Sequence, residues 1–449
     1  MPGTPKRELS LYDSTCIIVG IIIGVGIYQM APDIAKGAGS AWGVLALWTV
    51  GGLLSLCGAL SYAELATAYP RAGGDYVYLT KAYGRWAGFL FGWAQLTVVR
   101  PGDILVMAFA FATYGRQLYD PYPSNPEVSQ RIFAASAVLV LTLINIIGVK
   151  QGKWTQNLLT LVKALGLLAI VVIAFVTPAR AGTVIEFEPL PVSLALIFVL
   201  FTYGGWNEMA YVAAEVRNPR KNIARALVIG TAAVLILYLL VNGAFLYTLG
   251  YEGLATSDAV ASECIAAAFP AGGSRFISLL VCLSALGVVN GQIFTGARIS
   301  YAMGAEHPIF RRLGRWDSHT GTPISALIVQ AIIALGLILI LGGYIDAILY
   351  NAAVVFSFYL ATSIAVIVLR HKEPQVERPF RIIGYPITPL VFSSVCVFLI
   401  YSSIIYAYSF KRLSLLVMIV ALVTGLVVYR FTERRSSTKM VRQSDSPTV

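Results

Sequence analysis

Charged residues are scarce in this sequence. Only 12 % of its 449 residues are Asp, Glu, Lys or Arg, whereas 57 % are hydrophobic. Soluble domains carry about a quarter charged residues, so this chain has too few charges to cover a surface that faces water. The shortage excludes an ordinary soluble domain and indicates a protein whose surroundings are lipid.

Cysteine and histidine are scarce as well. The five cysteines lie mostly inside apolar runs without a CxxC motif, which predicts small buried side chains rather than a disulfide framework or a zinc site. The three histidines, His307, His319 and His371, fall outside the long apolar runs. Enzyme chemistry inside a membrane usually needs a base or metal ligands at depth, so we expect no enzyme, no metal and no cofactor.

Long apolar runs, by contrast, follow one another along the chain. A membrane-spanning helix needs about 20 mostly apolar residues, and this criterion predicts twelve spans. They lie near residues 11–35, 41–67, 84–116, 130–148, 154–177, 191–214, 224–249, 274–304, 322–342, 345–370, 387–409 and 412–431. No soluble domain separates them, so we predict one all-α membrane domain over 1–431 and a disordered tail over 432–449.

The basic residues predict the orientation of these spans. Twelve spans place both termini on one side of the membrane. If that side is the cytoplasm, its segments carry 24 of the 33 Lys and Arg residues and the opposite face carries 7. The positive-inside rule therefore predicts cytoplasmic termini. It also accounts for the net charge of +11 through the anionic inner leaflet, so we expect lipids rather than nucleic acid as the partner of these basic loops.

Two of the predicted spans have glycine pairs at their centre. Gly24 and Gly26 interrupt the first span, and Gly204 and Gly205 interrupt the sixth. Spans 1 and 6 open two five-span halves, near 11–177 and 191–370, followed by spans 11 and 12 near 387–431. Since five is odd, the second half enters the membrane from the opposite side. Paired, glycine-interrupted spans in inverted halves are the best sequence pointer to a transporter's binding site.

Unwound backbone at membrane depth suits a particular kind of ligand. It is tolerated only where it lines a cavity or is buried in protein. There the N–H groups at the start of a half-helix attract an anion, and the free carbonyls at the end of another attract a cation. The head of an α-amino acid carries both charges, so the pattern predicts that ligand. The alternative is that the glycines only allow close helix packing.

Several ionisable or polar residues lie inside the predicted spans. A charge at that depth costs about 2.5–3.5 kcal/mol on insertion scales and is a functional hypothesis by default. Lys163 lies well inside its span without an acidic neighbour, so it needs carbonyl partners; the alternative is a lysine that snorkels to the interface. The other positions that we single out are Glu64, Arg100, Asp103, Asn290 and Glu208.

These polar positions have different expected roles. Arg100 and Asp103 lie one helical turn apart and could pair with each other in a structural role. Glu64, near the cytoplasmic end of span 2, is expected in a polar network at an inner gate or at a solvated helix end. Asn290 is expected to complete polar contacts near Lys163. Glu208 faces either the binding pocket or an outer vestibule.

Six segments, taken in order, resemble a known family over nearly the whole chain. They are "GALSYAELATAYPRAGGDYVYLTKAYG" (58–84), "VVRPGDILVMAFAFATYG" (98–115), "FTYGGWN" (201–207), "EVRNPRKNI" (215–223), "VNGQIFTGARISYAMG" (289–304) and "LRHKEPQVERPFRI" (369–382). The family is the L-type amino acid transporter (LAT) branch of the amino acid–polyamine–organocation (APC) superfamily. The resemblance implies a LeuT-like 5 + 5 inverted repeat with discontinuous helices 1 and 6, and sodium-independent amino acid exchange.

The same resemblance implies roles for individual residues. The family's "GSG" falls on Gly24, Val25 and Gly26, whose N–H groups would meet the substrate carboxylate. The carbonyls expected to accept from the substrate ammonium are those of Ile23, Phe201, Thr202 and Gly204. Phe201 would also close over the substrate as an aromatic gate, and Asn207 would shape the pocket. Lys163 matches a helix 5 lysine that does the work of a sodium ion.

The sequence departs from the family pattern at two places. Val25 stands where the family usually has serine, which removes a hydroxyl beside the carboxylate and leaves the backbone donors. The loop between spans 3 and 4, residues 116–131, has no cysteine, although animal members use one there to bridge to a glycoprotein. We therefore expect no disulfide-linked heavy subunit.

Together these observations predict a sodium-independent amino acid transporter of the plasma membrane. It would exchange neutral L-amino acids by alternating access. One alternative is a proton-coupled importer of the same superfamily, with Lys163 as the proton carrier. Another is a transporter-like sensor, which binds an amino acid without carrying it.

Overall fold

Helices make up the regular structure of this protein. The computed structural model describes residues 4–177, 186–266, 268–269, 272–340, 344–410 and 419–433. At 344–352 and 406–410 only the backbone is described. Apart from one parallel bridge between Leu9 and Val216, the regular structure in these ranges is helical, which confirms the predicted all-α class. The predicted tail, 432–449, lies outside the described residues except for its first two, which continue the last helix.

The helices vary widely in length, and several are short. In chain order they are α1 (Leu11–Ile22), α2 (Gly26–Gln29), α3 (Ala31–Ala38), α4 (Ala41–Ala68), α5 (Asp75–Tyr83), α6 (Arg85–Ala94), α7 (Arg100–Leu118), α8 (Pro126–Ile147), α9 (Val149–Val176), α10 (Val192–Thr202), α11 (Glu208–Tyr211), α12 (Pro219–Thr256), α13 (Val260–Ala266), α14 (Gly273–Glu306), α15 (Ile324–Ile340), α16 (Tyr344–Lys372), α17 (Ile387–Phe410) and α18 (419–433). A π-helical turn, Gln95–Val99, joins α6 to α7.

The apolar helices make this a multi-pass membrane protein. Within the described ranges, nine stretches are long and apolar enough to cross a membrane. Three predicted spans are not among them. The span at 191–214 contains the 11-residue α10, and that at 322–342 contains the 17-residue α15. The span at 412–431 lies partly outside the described residues. The total of twelve spans therefore stays a prediction.

The helix starts follow from local sequence. Ser10 and Asp13 form a capping box at the start of α1, with the Asp13 carboxylate accepting from the Ser10 N–H at 2.9 Å. The side chain of Ser40 caps α4 in the usual way, by accepting from the Gly43 N–H. Pro126 occupies the first turn of α8, where its missing N–H costs nothing. These residues set where each apolar stretch begins.

The chain is interrupted twice where paired glycines predict it. After α1 ends at Ile22, residues 23–25 are not helical, and α2 begins at Gly26. After α10 ends at Thr202, residues 203–207 form turns before α11 begins. Gly205 has a φ of 107°, which side-chain-bearing residues rarely adopt. The second interruption therefore depends on glycine at this position.

A third irregularity precedes α7. The N–H of Arg100 bonds to the carbonyl of Gln95, five residues back, at the end of the π-helical turn. Pro101 follows at once and has no N–H to offer the preceding turn, which is a common reason for a local change in helix geometry. The bulge allows the Arg100 side chain to leave the regular α-helical register.

Small residues bring the interrupted helices close to their neighbours. A Cβ placed on Gly230 of α12 would lie 2.8 Å from Ile18 Cγ2 of α1, and one on Gly51 of α4 would lie 2.2 Å from Val199 Cγ1 of α10. Neither distance leaves room for a methyl group. Close packing through small residues is the usual way in which membrane helices associate. Here it brings α12 against α1 and α4 against α10.

A buried ion pair fixes the segment that follows α11. Arg298 of α14 donates to both carboxylate oxygens of Glu215, at 2.8 and 3.0 Å, and both side chains are almost completely buried. The Glu215 carbonyl in turn accepts from the Leu9 N–H at 2.8 Å, so the amino-terminal segment is attached to the same point. The pair thus joins α14, the chain after α11 and the start of the chain.

We expect Arg298→Met to destabilise the protein strongly. The change leaves Glu215 buried without its cation, and breaking a buried pair in this way typically costs about 3–5 kcal/mol. The matched control is Arg220→Met, because Arg220 pairs with Glu377 where both side chains are about two-thirds exposed, and such a pair contributes about 0–1 kcal/mol. Thermal unfolding in detergent measures both variants. Equal losses of melting temperature would contradict the assigned role of the buried pair.

Candidate functional site

A small cavity lies where the two interrupted helices meet. Its volume is about 170 Å³. Nine of the described helices and both interruptions contribute to its wall. The lining residues are Ile21, Ile22, Gly24, Val25, Gly26, Ser55, Asp103, Val106, Met107, Leu200, Phe201, Thr202, Gly204, Gly205, Trp206, Glu208, Val288, Gln292, Val355, Phe356, Tyr359, Phe392, Val395 and Leu399. A cavity of this size fits a small solute rather than a drug-sized ligand, whose sites measure roughly 300–1,000 Å³.

The two interruptions contact each other directly at this cavity. A Cβ on Gly26 would lie 3.0 Å from Thr202 Oγ1 at the end of α10. A Cβ on Gly205 would lie 2.6 Å from Ile21 Cγ2 near the end of α1. The glycines therefore do more than weaken a helix: each removes a side chain that would push the two broken segments apart.

Unpaired main-chain groups remain on both sides of the contact. Among the described residues, none accepts a hydrogen bond from the N–H of Val25 or Gly26 at the start of α2. The Gly204 carbonyl likewise has no donor in the described part of the chain. The Phe201 carbonyl, by contrast, accepts from the Gly204 N–H at 3.0 Å. The cavity thus offers donors from the first interruption and an acceptor from the second.

A tyrosine that sequence reasoning did not single out bridges the two interruptions. The Tyr238 hydroxyl of α12 donates to the Ile22 carbonyl at 2.9 Å and lies 3.5 Å from the Thr202 carbonyl. Its side chain is fully buried. Nothing near Tyr238 in the sequence marks it, because its partners are 36 and 216 residues away.

Lys163 of α9 reaches the first interruption from behind the cavity. Its ammonium donates to the carbonyls of Gly20 and Ile23, the latter at 2.9 Å, and lies 3.4 Å from that of Ser284 on α14. The side chain is completely buried. A Cβ on Gly287 would lie 2.7 Å from Nζ, so a glycine in α14 makes room for the cation. Lys163 therefore ties α9 and α14 to the point where α1 ends.

Two residues predicted at the site lie outside the cavity wall. Ile23 is not a lining residue, and its carbonyl is occupied by Lys163. Asn207 is also absent from the wall; its amide donates to the Tyr211 hydroxyl at 2.7 Å and accepts from the Tyr359 hydroxyl at 2.8 Å. Tyr359 does line the cavity, so Asn207 is one hydrogen bond away from the cavity wall. The predicted residues that do line it are Gly24, Val25, Gly26, Phe201, Thr202, Gly204 and Asp103.

Arg100 has a carboxylate partner from a distant part of the chain. Its guanidinium donates to Glu208 at 2.7 Å and to Gln95 at 2.9 Å. Glu208 also accepts from the Thr295 hydroxyl at 2.5 Å. The expectation that Arg100 pairs with its neighbour Asp103 therefore missed a partner 108 residues away. Of the two positions proposed for Glu208, the structure places it at the cavity wall.

Asn290 belongs to a polar cluster in which no contact with Lys163 occurs among the described atoms. Its amide donates to Gln156 at 2.9 Å and to the Gly152 carbonyl at 3.2 Å, and its oxygen accepts from Asn145 at 2.9 Å. The cluster joins α8, α9 and α14. Asn290 is thus one turn along α14 from Gly287, where Lys163 makes its contact.

Glu64 lies in a polar network at the end of α4. Its carboxylate accepts from the Arg370 guanidinium at 2.7 and 2.5 Å and from the Ile382 N–H at 2.8 Å, while Arg378 lies 3.4 Å away. The network joins α4 to the end of α16 and to the segment that follows it. Glu64 is almost fully buried, so it does not lie at a solvated helix end.

A second carboxylate, Glu373, extends this connection just beyond α16. It accepts from the Tyr69 hydroxyl at 2.8 Å and from the Lys81 ammonium at 3.0 Å. Partial burial acts to raise the pKa of Glu373, but the hydrogen bonds from Tyr69 and Lys81 outweigh it, so the pKa is lowered. The carboxylate is therefore charged at neutral pH and holds the chain after α4 against the end of α16.

The sequence as a whole matches one protein family. The match to the amino acid permease family covers residues 9–427. The chain belongs to this family. The predicted resemblance to LAT-type transporters of the APC superfamily is thereby confirmed.

Two relatives of this amino acid permease family member are similar over most of their length. The mouse b(0,+)-type amino acid transporter 1 is 31 % identical over 435 residues, which cover 94 % of this chain and 87 % of the relative. The human large neutral amino acids transporter small subunit 2 is 33 % identical over 407 residues, or 86 % of this chain and 74 % of the relative. Both are transporters, which confirms the prediction that this chain is not an enzyme.

The name of the human relative bears on the question of a partner. It describes that protein as a small subunit, which stands against the expectation that this permease works without a heavy chain. In this chain the loop at 116–131 has no cysteine, and the five cysteines are free, four of them buried. The absence of a disulfide-linked partner stays a prediction.

We expect Gly205→Ala to disrupt the second interruption. The alanine would have to keep the φ of 107° that Gly205 adopts, and this backbone strain alone costs about 1–2 kcal/mol. Its methyl group would also lie 2.6 Å from Ile21 Cγ2. The matched control is Gly243→Ala, since a Cβ at this position in α12 meets no atom within 4 Å. Melting temperatures in detergent should fall for Gly205→Ala and should not fall for the control. An unchanged melting temperature for Gly205→Ala would contradict the close contact described here.

Proposed function

We propose that this protein is a sodium-independent amino acid transporter of the plasma membrane. It exchanges neutral L-amino acids by alternating access. Its twelve spans form one domain over 1–431, in which a LeuT-like 5 + 5 inverted repeat, about 11–177 and 191–370, is followed by two further spans over 387–431. Both termini lie in the cytoplasm. The confirmed family and the nine apolar stretches support the coarser part of this proposal.

The contact between the two interruptions is the observation that carries the proposal. It leaves the N–H groups of Val25 and Gly26 and the carbonyl of Gly204 without partners in the described protein, beside a small cavity. Donors at a half-helix start suit the substrate carboxylate, and a free carbonyl suits its ammonium. Thr202 offers a second carbonyl, since its contact with Tyr238 is long. Both charges of an α-amino acid are thereby matched by main-chain groups.

The remaining predicted residues support the same assignment. Phe201 lines the cavity and is 36 % exposed, as suits an aromatic side chain that closes over a bound molecule. Val25 adds no hydroxyl, so the carboxylate depends on the backbone. Ile23 and Asn207 do not line the cavity. The Ile23 carbonyl accepts from Lys163, and the Asn207 side chain accepts from the cavity-lining Tyr359.

Sodium independence rests on Lys163. Its ammonium already supplies a cation to the carbonyls at the end of α1 and to one on α14. A metal ion at the same place would be repelled by the buried charge. Lys163 therefore braces the unwound segment without a bound ion.

The preference for neutral side chains rests on the cavity wall. Apolar residues from three helices, Val106, Val288 and Val355 among them, form much of it. The Glu208 carboxylate at the wall is paired with Arg100, so it offers little net charge to a substrate. Moving a charged side chain from water into such a cavity costs far more desolvation free energy than moving a neutral one.

Counterflow from proteoliposomes tests this function. Vesicles that contain the full chain are loaded with labelled leucine and diluted into buffer without sodium. We expect external neutral amino acids to accelerate release of the label, with no effect of a proton uncoupler. Binding without accelerated release would instead indicate a sensor. Uptake of external label into vesicles that stops accumulating when the uncoupler is added would indicate proton-coupled import.

We expect Gly26→Leu to abolish substrate binding. A Cβ at Gly26 already lies 3.0 Å from Thr202 Oγ1, so a larger side chain must separate the two interruptions or fill the cavity. Gly243→Leu is a control on an uncrowded face of α12. Binding of labelled leucine to purified protein is the measurement. Unchanged affinity in Gly26→Leu would place the carboxylate site elsewhere.

We expect Lys163→Ala to slow exchange more than it weakens binding. The change leaves the carbonyls of Gly20 and Ile23 without their cation but removes no cavity-lining group. The expected result is a fall of at least about tenfold in maximal exchange rate with a smaller change in KM. Lys36→Ala, which removes an ammonium paired with Asp33 at a partly exposed position, is the control. An unchanged exchange rate would remove the role given to Lys163.

A further inference from the structure

A buried carboxylate, Asp75, lies at the first residue of α5, between two membrane-crossing stretches. Three hydroxyl groups from three other helices donate to it. Tyr62 of α4 and Thr362 of α16 each bond to Oδ1 at 2.5 Å, and Tyr211 of α11 bonds to Oδ2 at 2.8 Å. The Asp75 side chain is completely buried. It is therefore the junction at which α4, α5, α11 and α16 meet.

Two glycines hold this carboxylate in place. Gly73 and Gly74 have φ angles of 101° and 48°. A Cβ on Gly74 would lie 2.7 Å from Tyr211 Cδ1, and one on Gly73 would lie 2.5 Å from Ala302 Cβ of α14. The Gly73 N–H also donates to the Tyr211 carbonyl at 2.9 Å. The turn before α5 therefore fits closely between α11 and α14 and fixes Asp75 against its donors.

No cation neutralises Asp75 in the part of the chain that the structure describes. The charged residue that acts on it from α11 is another carboxylate, Glu208, which is itself paired with Arg100 of α7. From α14, Arg298 is paired with Glu215. The other titratable groups facing Asp75 are the phenols of Tyr62, Tyr78, Tyr211 and Tyr359.

Burial raises the pKa of Asp75 to about 6, although the three hydroxyl groups act in the opposite direction and Glu208 raises it further. An aspartate exposed to water has a pKa near ~3.9. The same group would thus bind a proton far more tightly when the junction is sealed than when water reaches it.

The junction is also connected to the cavity. The Tyr211 hydroxyl that donates to Asp75 accepts from the Asn207 amide at 2.7 Å, and Asn207 accepts from the Tyr359 hydroxyl at 2.8 Å. Tyr359 lines the cavity. A change at Asp75 is therefore passed by hydrogen bonds to the wall of the proposed substrate site.

We propose that Asp75 is a proton-binding site whose occupancy is linked to the separation of α16 from α4 and α11 during transport. This inference rests on the proposed function for the transport step, but the binding of the proton does not. The sealed junction takes up a proton because burial outweighs the three hydroxyl donors and favours the neutral carboxyl group. It opens with the release of that proton, because water that reaches the carboxylate favours its charged form.

The sign of the pH effect follows from linkage. The sealed junction has the higher pKa, so it gains stability relative to the open one as the pH falls through about 6. Between pH 7.5 and pH 5 the equilibrium shifts toward the sealed junction by about tenfold. If the junction must separate in each cycle, acidification slows exchange by up to that factor.

Infrared difference spectroscopy tests the proton site without any transport assay. The full chain in lipid is titrated from pH 7.5 to pH 5, and the C=O stretch of a buried carboxylic acid is followed. We expect a band that titrates near pH 6 in the wild type and in Asp33→Asn, a control at a partly exposed carboxylate, and we expect no such band in Asp75→Asn. The same band in Asp75→Asn, or no titrating band in the wild type, would overturn the proposal.

A second variant keeps the test valid if Asp75→Asn does not fold. Thr362→Val removes one donor to the charged carboxylate, so the midpoint of the band should move to higher pH. A purely structural role for Thr362 predicts an unchanged midpoint, which would count against the proposal. In proteoliposomes, leucine exchange should slow by up to about tenfold from pH 7.5 to pH 5 in the wild type and by less than about twofold in Asp75→Asn. An identical pH profile in the two proteins would refute the link to transport, whereas absence of exchange at every pH would refute the proposed function instead.

Discussion

The structure depends on one constraint, namely that peptide groups released from a helix inside a membrane must find other partners. At the first interruption the Ile22 carbonyl is bonded by Tyr238, and the Ile23 carbonyl by Lys163. Three of the groups without a partner among the described residues, the N–H groups of Val25 and Gly26 and the carbonyl of Gly204, lie beside the cavity. A ligand in the cavity could supply the partners that these groups lack, which is why we propose that the interruptions form a binding site.

The same rule governs the buried charges, and it joins distant parts of the chain. Arg100 is paired with Glu208, and Arg298 with Glu215, so that two helices on one side are each tied to the segment around α11. Breaking such a pair costs far more than forming it gains. The segment that follows the second interruption is therefore held at two points, which fixes α11 beside a cavity whose other wall is unwound backbone.

The sequence predicts the parts of this protein that depend on local pattern. Apolar runs predicted the helices, and paired glycines predicted both interruptions, because each signal is contained within about 20 residues. Long-range partners could not be predicted in this way. Glu208 as the partner of Arg100, Tyr238 as a bridge and the positions of Ile23 and Asn207 behind the wall all follow from how helices pack, not from spacing. Lys163 is an intermediate case: its need for carbonyls was evident, but which carbonyls was implied only by family resemblance.

The contrast between Lys163 and Asp75 bears on how exchange and proton coupling differ on this scaffold. The neighbours of the Lys163 ammonium are all acceptors, and a lysine that lost its proton would loosen its hold on the end of α1. The neighbours of Asp75 are all donors that can rotate, so either protonation state can be accommodated. A proton at Lys163 is needed for the contacts that the structure shows, whereas we propose that Asp75 gains and loses its proton. On the proposals made here, a proton-linked cycle in this protein would use Asp75 and leave Lys163 as a fixed cation.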